Sequence, residues 1–255
     1  MSFIKKIAAF DLDGTLTESK QEISVAMTKL LAKLTCQTRV TIISGEPFKQ
    51  FEKQFLSVWN KLNINRVENN LILLPVSGSQ CYEYKPATGW TLTYVKNFPS
   101  KDSRLAKKTL KKIINSKKYN LPEKIWGKRV DDRGTQITFS ALGQKAPLAK
   151  KILWDPDQKK RQRIKAEFEK KIGQANLEIS IGGTTSIDIL PKGFNKGTGL
   201  RCLAERLNLN LKDIIFIGDS LFKNGNDYLI KKTGIESIAV KSPNETKNII
   251  NKWLS

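Results

Sequence analysis

The sequence predicts an α/β protein: a doubly wound parallel sheet interrupted by an inserted α+β unit. Three observations carry this expectation. Short apolar runs at residues 7–12, 39–44 and 71–76 alternate with helical stripes, giving a β-α-β-α-β order that needs a parallel sheet covered by helices. After about Tyr84 the alternation breaks into a mixture of strands and helices. It returns from about Thr198. The expected division is residues 1–84 and 191–255 for the split core and 85–190 for the insertion.

Each element follows from its spacing. Residues 7–12 form a buried strand that gives way to a polar turn at Asp13-Gly14. Ile23, Met27, Leu30, Leu31 and Leu34 recur at helical spacing. Residues 39–44 (RVTIIS) are β-branched and end at Gly45. Phe48, Phe51, Phe55, Trp59 and Leu62 make a second apolar helical stripe, read as core. In the insertion, residues 90–95 alternate as a half-exposed strand and 105–114 form an amphipathic helix. Residues 136–141 are a strand and 161–175 a charged helix, and 177–181 and 185–190 pair around Gly182-Gly183. A helix over 198–207, a strand over 214–217, a helical turn over 227–232 and a short strand over 237–240 complete the core.

Composition narrows the chemistry. The 255 residues include no histidine, which excludes histidine acid–base catalysis and histidine-ligated zinc, so carboxylates or lysines must move protons. No cysteine has an arginine six positions on, and no GxxxxGK[ST] loop is present, so thiol-phosphatase and P-loop chemistry are excluded. Cys36, Cys81 and Cys202 form no CxxC pair and are expected as reduced thiols. With no signal-like segment and no apolar run of membrane length, the expectation is a cytoplasmic protein without a membrane partner. The 45 Lys and Arg against 24 Asp and Glu give a net charge of +21. Without a zinc pattern, a recognition helix or aromatics interleaved on strands, that charge reads as solvated helix faces, and weighs against nucleic acid as a partner.

Three polar clusters fall where core strands end, the place where open α/β sheets bind ligands. In Asp11-Leu12-Asp13-Gly14-Thr15 the two carboxylates share one side of the chain. One can attack phosphorus while the other handles the leaving-group proton. Ser44-Gly45 offers a hydroxyl and backbone N–H groups to a phosphoryl oxygen. Ile217-Gly218-Asp219-Ser220 is followed by Asn224-Gly225-Asn226-Asp227. Asp219 is the natural Mg2+ ligand beside Asp11 and the backbone carbonyl of Asp13, with Asp227 in support.

In this order the clusters resemble the haloacid dehalogenase superfamily of phosphotransferases. DLDGT resembles its first motif, and Ser44, Lys196 and Asp219 resemble the second, third and fourth. The resemblance implies a Rossmann-like core with a C2-type cap between the second and third motifs. Residues 133–227 are similar in particular to eukaryotic-type phosphomannomutases, through Arg133, residues 137–143, Ile181-Gly182-Gly183, Ser186-Ile187-Asp188, Gly193-Phe194-Asn195-Lys196 and Gly225-Asn226-Asp227. That similarity implies Arg133, Ser186 and Asp188 as cap contacts to a phosphosugar. Lys20 and Gln144 stand where that family has arginines, and a further cap arginine falls near Lys150 or Lys151. Neither an ammonium nor an amide reproduces the bidentate grip of a guanidinium on phosphate. The expected activity is therefore a phosphosugar phosphatase working through an aspartyl-phosphate, with a phosphohexomutase as the alternative and a basic polyanion-binding protein as the non-enzyme alternative. An apolar cap face could join two copies as a homodimer.

Overall fold

A computed structural model describes residues 5–62, 68–223 and 225–255. Asn224, part of the loop singled out above, lies outside the described residues.

The chain opens with β1 (Ile7–Asp11) and α1 (Val25–Thr35), whose first turn is capped by the Ser24 hydroxyl accepting from Met27 N–H. β2 (Arg39–Ile43) leads into one helical stretch made of α2 (Phe48–Phe51), a π-helical turn (Glu52–Leu56) and α3 (Ser57–Trp59). β3 (Leu71–Leu74) is followed by the hairpin β4 (Gln80–Lys85) and β5 (Gly89–Val95). Next come α4 (Ser100–Ile114), β6 (Val130–Asp132), β7 (Ile137–Ser140), α5 (Leu148–Trp154), α6 (Lys159–Ile172), β8 (Leu177–Gly182) and β9 (Ser186–Pro191). The chain closes with α7 (Lys196–Arg206), β10 (Ile214–Gly218), a 3-10 turn (Tyr228–Thr233), β11 (Glu236–Ala239) and α8 (Pro243–Leu254).

Two compact units result, one from residues up to Lys96 and from Asn195 onward, the other from Asn97–Phe194. The first holds a seven-stranded sheet in the order β11-β10-β1-β2-β3-β4-β5. Its first five strands are parallel, and β4 and β5 add an antiparallel edge. At the centre of the sheet both faces are buried, so β1 is apolar up to Asp11: Ala8 and Phe10 join the core under α1 and α8, and Ile7 and Ala9 join the core under α7. The second unit holds the antiparallel sheet β6-β7-β9-β8. Phe139, Ile179, Ile187 and Ile189 face Leu110, Ile113, Ile164 and Phe168 of α4 and α6. The alternate residues Thr138, Ser140, Ser186 and Asp188 make a polar stripe on the other face, in the register Thr138 opposite Asp188 and Ser140 opposite Ser186.

The doubly wound sheet with a separate α+β unit is as expected, but the junctions lie elsewhere. The core runs to Lys96 rather than 84 and resumes at Asn195 rather than 191. The strand at 89–95 belongs to the core sheet because β4, a strand the spacing did not reveal, hairpins it onto β3. An antiparallel edge strand is only half buried, so its alternation imitates a cap strand.

Candidate active site

The register of the parallel sheet assembles the site. Asp11 pairs with Ile43 across β1–β2, so Ser44 stands one residue past the strand end beside it. On the other side Phe10 pairs with Ile217, which sets Asp219 just beyond the level of Asp11. Lys196 arrives at the start of α7, whose first turn is fixed by reciprocal bonds between Asn195 and Thr198: Asn195 Oδ1 accepts from Thr198 N–H at 3.2 Å and Thr198 Oγ1 accepts from Asn195 N–H at 3.3 Å. Chain segments far apart in sequence thus converge at the carboxyl ends of adjacent strands.

Lys196 is buried and its Nζ bridges two buried carboxylates, Asp11 Oδ1 at 2.6 Å and Asp227 Oδ1 at 2.7 Å. Asp11 Oδ1 also accepts from Leu12 N–H at 2.8 Å. Carboxylate oxygens of Asp11, Asp219 and Asp227 lie within 4.8 Å of one another. Burial, opposed by Lys196 and reinforced by Asp227 and Asp219, holds the Asp11 carboxyl well above the usual carboxylate range. Burial and then Asp227 raise Asp219 as well. The Lys196 ammonium is raised despite its burial, because Asp11 and Asp227 flank it.

Three carboxylates and one ammonium leave this pocket under-neutralised by two charges, and its donors are all hard oxygens. That set fits a divalent cation such as Mg2+. Gly14 makes room for it: φ is +79° and a Cβ there would lie 2.6 Å from Asp219 Oδ2. Gly218 does the same for Asp227, since a Cβ would lie 2.4 Å from its Oδ2. Asp227, expected only in support, sits in the cluster itself, with Oδ2 accepting from Ser220 N–H at 3.3 Å.

Asp13 faces away from these carboxylates. Its Oδ1 accepts from Lys20 N–H at 2.7 Å and from Gln54 Nε2 at 2.9 Å, which leaves it apart from the cation cluster and suited to proton transfer. Asp13 was expected among the metal ligands, but its carboxylate lies outside the cluster, so only its backbone carbonyl would serve beside Asp11, Asp219 and Asp227. Gln54 was not anticipated. The one signal it gave is its place three residues after Phe51 on the buried stripe, where a polar residue demands a partner. Ser44 is buried and its Oγ accepts from Glu46 N–H at 3.2 Å, which orients Gly45 and the turn after β2.

The remaining expected contacts are placed as follows. The Lys20 ammonium pairs with Glu46 at 3.3 Å. In the second unit Asp188 Oδ1 accepts from Gln136 Nε2 at 2.8 Å and Thr138 Oγ1 at 2.7 Å, and the Ser186 and Ser140 hydroxyls meet at 2.8 Å. Arg133 Nε donates to Asp131 at 3.0 Å. The Gln144 carbonyl accepts from Lys151 Nζ at 3.1 Å, while its Nε2 is buried without a protein acceptor among the described residues. Cys36, Cys81 and Cys202 carry free thiols. Among the described residues no helix is long and apolar enough to cross a membrane.

Known proteins resemble this chain in sequence and fold. Residues 8–250 match the profile of the haloacid dehalogenase-like hydrolases. A phosphomannomutase from Spinacia oleracea is 29% identical over 233 residues, covering 88% of this chain and 85% of that protein. Phosphomannomutase 1 from Dictyostelium discoideum is 28% identical over 257 residues, covering 96% and 95%. Among solved structures, an N-terminally truncated Plasmodium falciparum IMP-nucleotidase superposes with a TM-score of 0.72 at 16% identity, over 98% of this chain and 70% of that one. A haloacid dehalogenase-like hydrolase from Bacteroides thetaiotaomicron superposes with a TM-score of 0.64 at 16% identity, over 97% and 99%. With the match running over residues 8–250, nearly the whole chain, this protein belongs to the haloacid dehalogenase-like hydrolases.

Proposed function

We propose that this enzyme is a Mg2+-dependent phosphotransferase that takes a phosphoryl group from a phosphosugar onto Asp11 and passes it on to water. The observation that carries the reading is the buried Lys196 bridging Asp11 and Asp227 beside Asp219, at the carboxyl ends of β1 and β10. The similarity to phosphomannomutases over nearly their whole length supports a sugar phosphate as the substrate class.

The steps follow from the placement of the side chains. Asp11 attacks phosphorus in line, forming the aspartyl-phosphate while the bond to the sugar oxygen breaks. The Lys196 ammonium and the Ser44 hydroxyl, with the N–H groups of its turn, meet the charge that develops on the phosphoryl oxygens. Asp13 gives its proton to the departing sugar oxygen, then takes one from the acceptor that frees Asp11. A divalent cation held by Asp11, Asp219 and Asp227, with the carbonyl of Asp13, would supply further neutralisation of that charge. On the cap, the polar stripe bearing Ser186 and Asp188, together with Arg133, would recognise the sugar.

The same core serves a mutase when the acceptor is a hydroxyl of the sugar phosphate. The relatives favour that second reading. The missing guanidinium groups at Lys20 and Gln144, one of them an ammonium already paired with Glu46, favour hydrolysis. We also infer a homodimer through the exposed Leu148, Ile152 and Leu153 of α5, which light scattering of wild type and Leu153→Glu would test. The functional test is ³¹P NMR on mannose 1-phosphate and glucose 1-phosphate with Mg2+, with and without a hexose 1,6-bisphosphate. Inorganic phosphate is the expected product. A 6-phosphate signal without inorganic phosphate would establish the mutase instead, and silence from both sugars would leave the core chemistry standing but show that the cap selects another substrate.

A further inference from the structure

Gln54 is fully buried, and its side chain holds the catalytic loop rather than the apolar core around it. Its Nε2 donates to Asp13 Oδ1 at 2.9 Å and to the Gln21 carbonyl at 3.2 Å. The Gln21 carbonyl is an acceptor only, so the amide can face it, and Asp13 Oδ1 beside it, only with its NH2 end. Its Oε1 is buried and meets no protein donor among the described residues, so this orientation is kept although half of the amide gains nothing from it. The main chain of the same residue binds the same loop, since Gln54 O accepts from Ile23 N–H at 2.8 Å.

The loop is tied internally too. Gly14 N–H donates to Thr17 O at 2.7 Å, and Thr17 Oγ1 donates to the carbonyls of Gln21 and Glu22. Lys20, held at φ +61°, points its N–H at Asp13 Oδ1. Gln54 stands on the π-helical turn Glu52–Leu56, a widened turn of a kind that recurs at functional sites. Asp13 is therefore gripped on a single oxygen from two directions. Oδ1 is saturated by Lys20 N–H and Gln54 Nε2, and among the described residues no donor meets Oδ2, the oxygen that would then serve the reacting group.

We propose that Gln54 is a positioning residue for the proton transfer carried out by Asp13, acting by fixing the rotamer that presents Oδ2. This rests on the reading of Asp11 as nucleophile and Asp13 as proton carrier. It makes a selective prediction. A sugar alkoxide is a poor leaving group and needs its proton in the transition state, whereas 4-nitrophenolate leaves without one.

The experiment is rapid-quench formation of the phosphorylated enzyme in the presence of Mg2+. Wild type, Gln54→Met and Gln54→Glu are compared on mannose 1-phosphate and on 4-nitrophenyl phosphate. Methionine keeps the volume without a donor, and glutamate keeps the shape but turns an acceptor toward Asp13. Phosphorylation by the sugar phosphate should slow by about 10- to 100-fold in both variants. Phosphorylation by the aryl ester should change by less than about threefold, with melting temperatures showing both variants folded. Equal losses on both substrates, or none on either, would overturn the positioning role while leaving the nucleophile intact. Failure of wild type to form any phosphoenzyme would instead overturn the underlying reading of Asp11. Should Gln54→Met not fold, Gln54→Glu alone decides, because it keeps the shape of the glutamine side chain.

Discussion

At the residue scale, the site is a problem of uncompensated charge. Asp11, Asp219 and Asp227 share one lysine, and burial lifts the carboxyls of Asp11 and Asp219. A carboxyl raised in the folded state stabilises the fold while it is protonated, and that contribution is lost as pH rises through its folded pKa. Charging the cluster then costs stability unless a cation is present. Addition of Mg2+ should therefore raise the melting temperature most at about pH 8, and the rise should shrink toward about pH 5 as protons compete for the same oxygens. A thermal-shift series with and without chelator reads this, and a Mg2+ effect independent of pH would refute it. Asp11→Asn should lower turnover by at least about 1000-fold. It also removes one of the crowded charges, so the chelated variant should melt no lower than wild type. Gly14→Ala forces a Cβ at φ +79° against Asp219 Oδ2, so it should cost about 1–3 kcal/mol in urea denaturation and weaken Mg2+ binding. Asp11, Asp13, Ser44 and Asp219 stood out in the sequence because acidic and glycine-rich turns after apolar runs have a spacing of their own, whereas Lys196, one of 45 basic residues, stood out only through the family resemblance. Gln54 was not, because its partner lies 41 positions away and no local pattern marks it.

At the scale of elements, legibility followed periodicity. α1, α4, α6 and α7 and the parallel strands showed in the spacing of their apolar residues. β6 was not read, because a strand of three residues is shorter than one alternation cycle can show. α8 was missed although Ser242-Pro243-Asn244-Glu245 carries a helix start: the Ser242 hydroxyl accepts from Glu245 N–H and proline fills the first turn. α5 exposes Leu148, Ile152 and Leu153, so its apolar stripe faces outward and gave no sign of a core. The start of α6 shows how elements are fastened without ordinary caps. Gln158 at its cap makes no side-chain bond, and Asp155 reaches forward instead to accept from Lys160 N–H and Arg161 N–H. Its Oδ2 also takes Arg161 Nε at 2.8 Å, and Arg161 donates onward to the carbonyls of Gly182 at 3.2 Å and Gly183 at 2.5 Å. This pair is almost fully buried, so removal of one partner strands a charge in the core. Arg161→Met should cost about 3–5 kcal/mol by chemical denaturation, far more than loss of the exposed Lys159–Asp157 pair, for which Lys159→Ala should leave the midpoint unchanged.

At the scale of the whole molecule, the positive charge is unevenly shared. Residues 97–194 hold 23 Lys and Arg against 10 Asp and Glu, so this unit carries +13 of the total +21. A field of that sign concentrates dianionic phosphate esters around the protein. The ratio kcat/KM should therefore fall by about tenfold or more between low and high ionic strength, with kcat nearly unchanged. Stopped assays across a salt series would measure both, and a loss confined to kcat would count against a steering role for the charge. The order of strands in the main sheet has a different kind of consequence. β1 lies between β2, which follows it closely, and β10, which comes about 200 residues later. During synthesis, β1 must wait with one edge unpaired while the contiguous insertion is made and can already fold. Neither Lys196 nor Asp219 has yet left the ribosome, so a nascent chain carries the nucleophile without the groups that activate it. The enzyme becomes competent only when its last strands dock. Until then a chaperone that shields the open side of β1 would protect the chain from pairing with its neighbours.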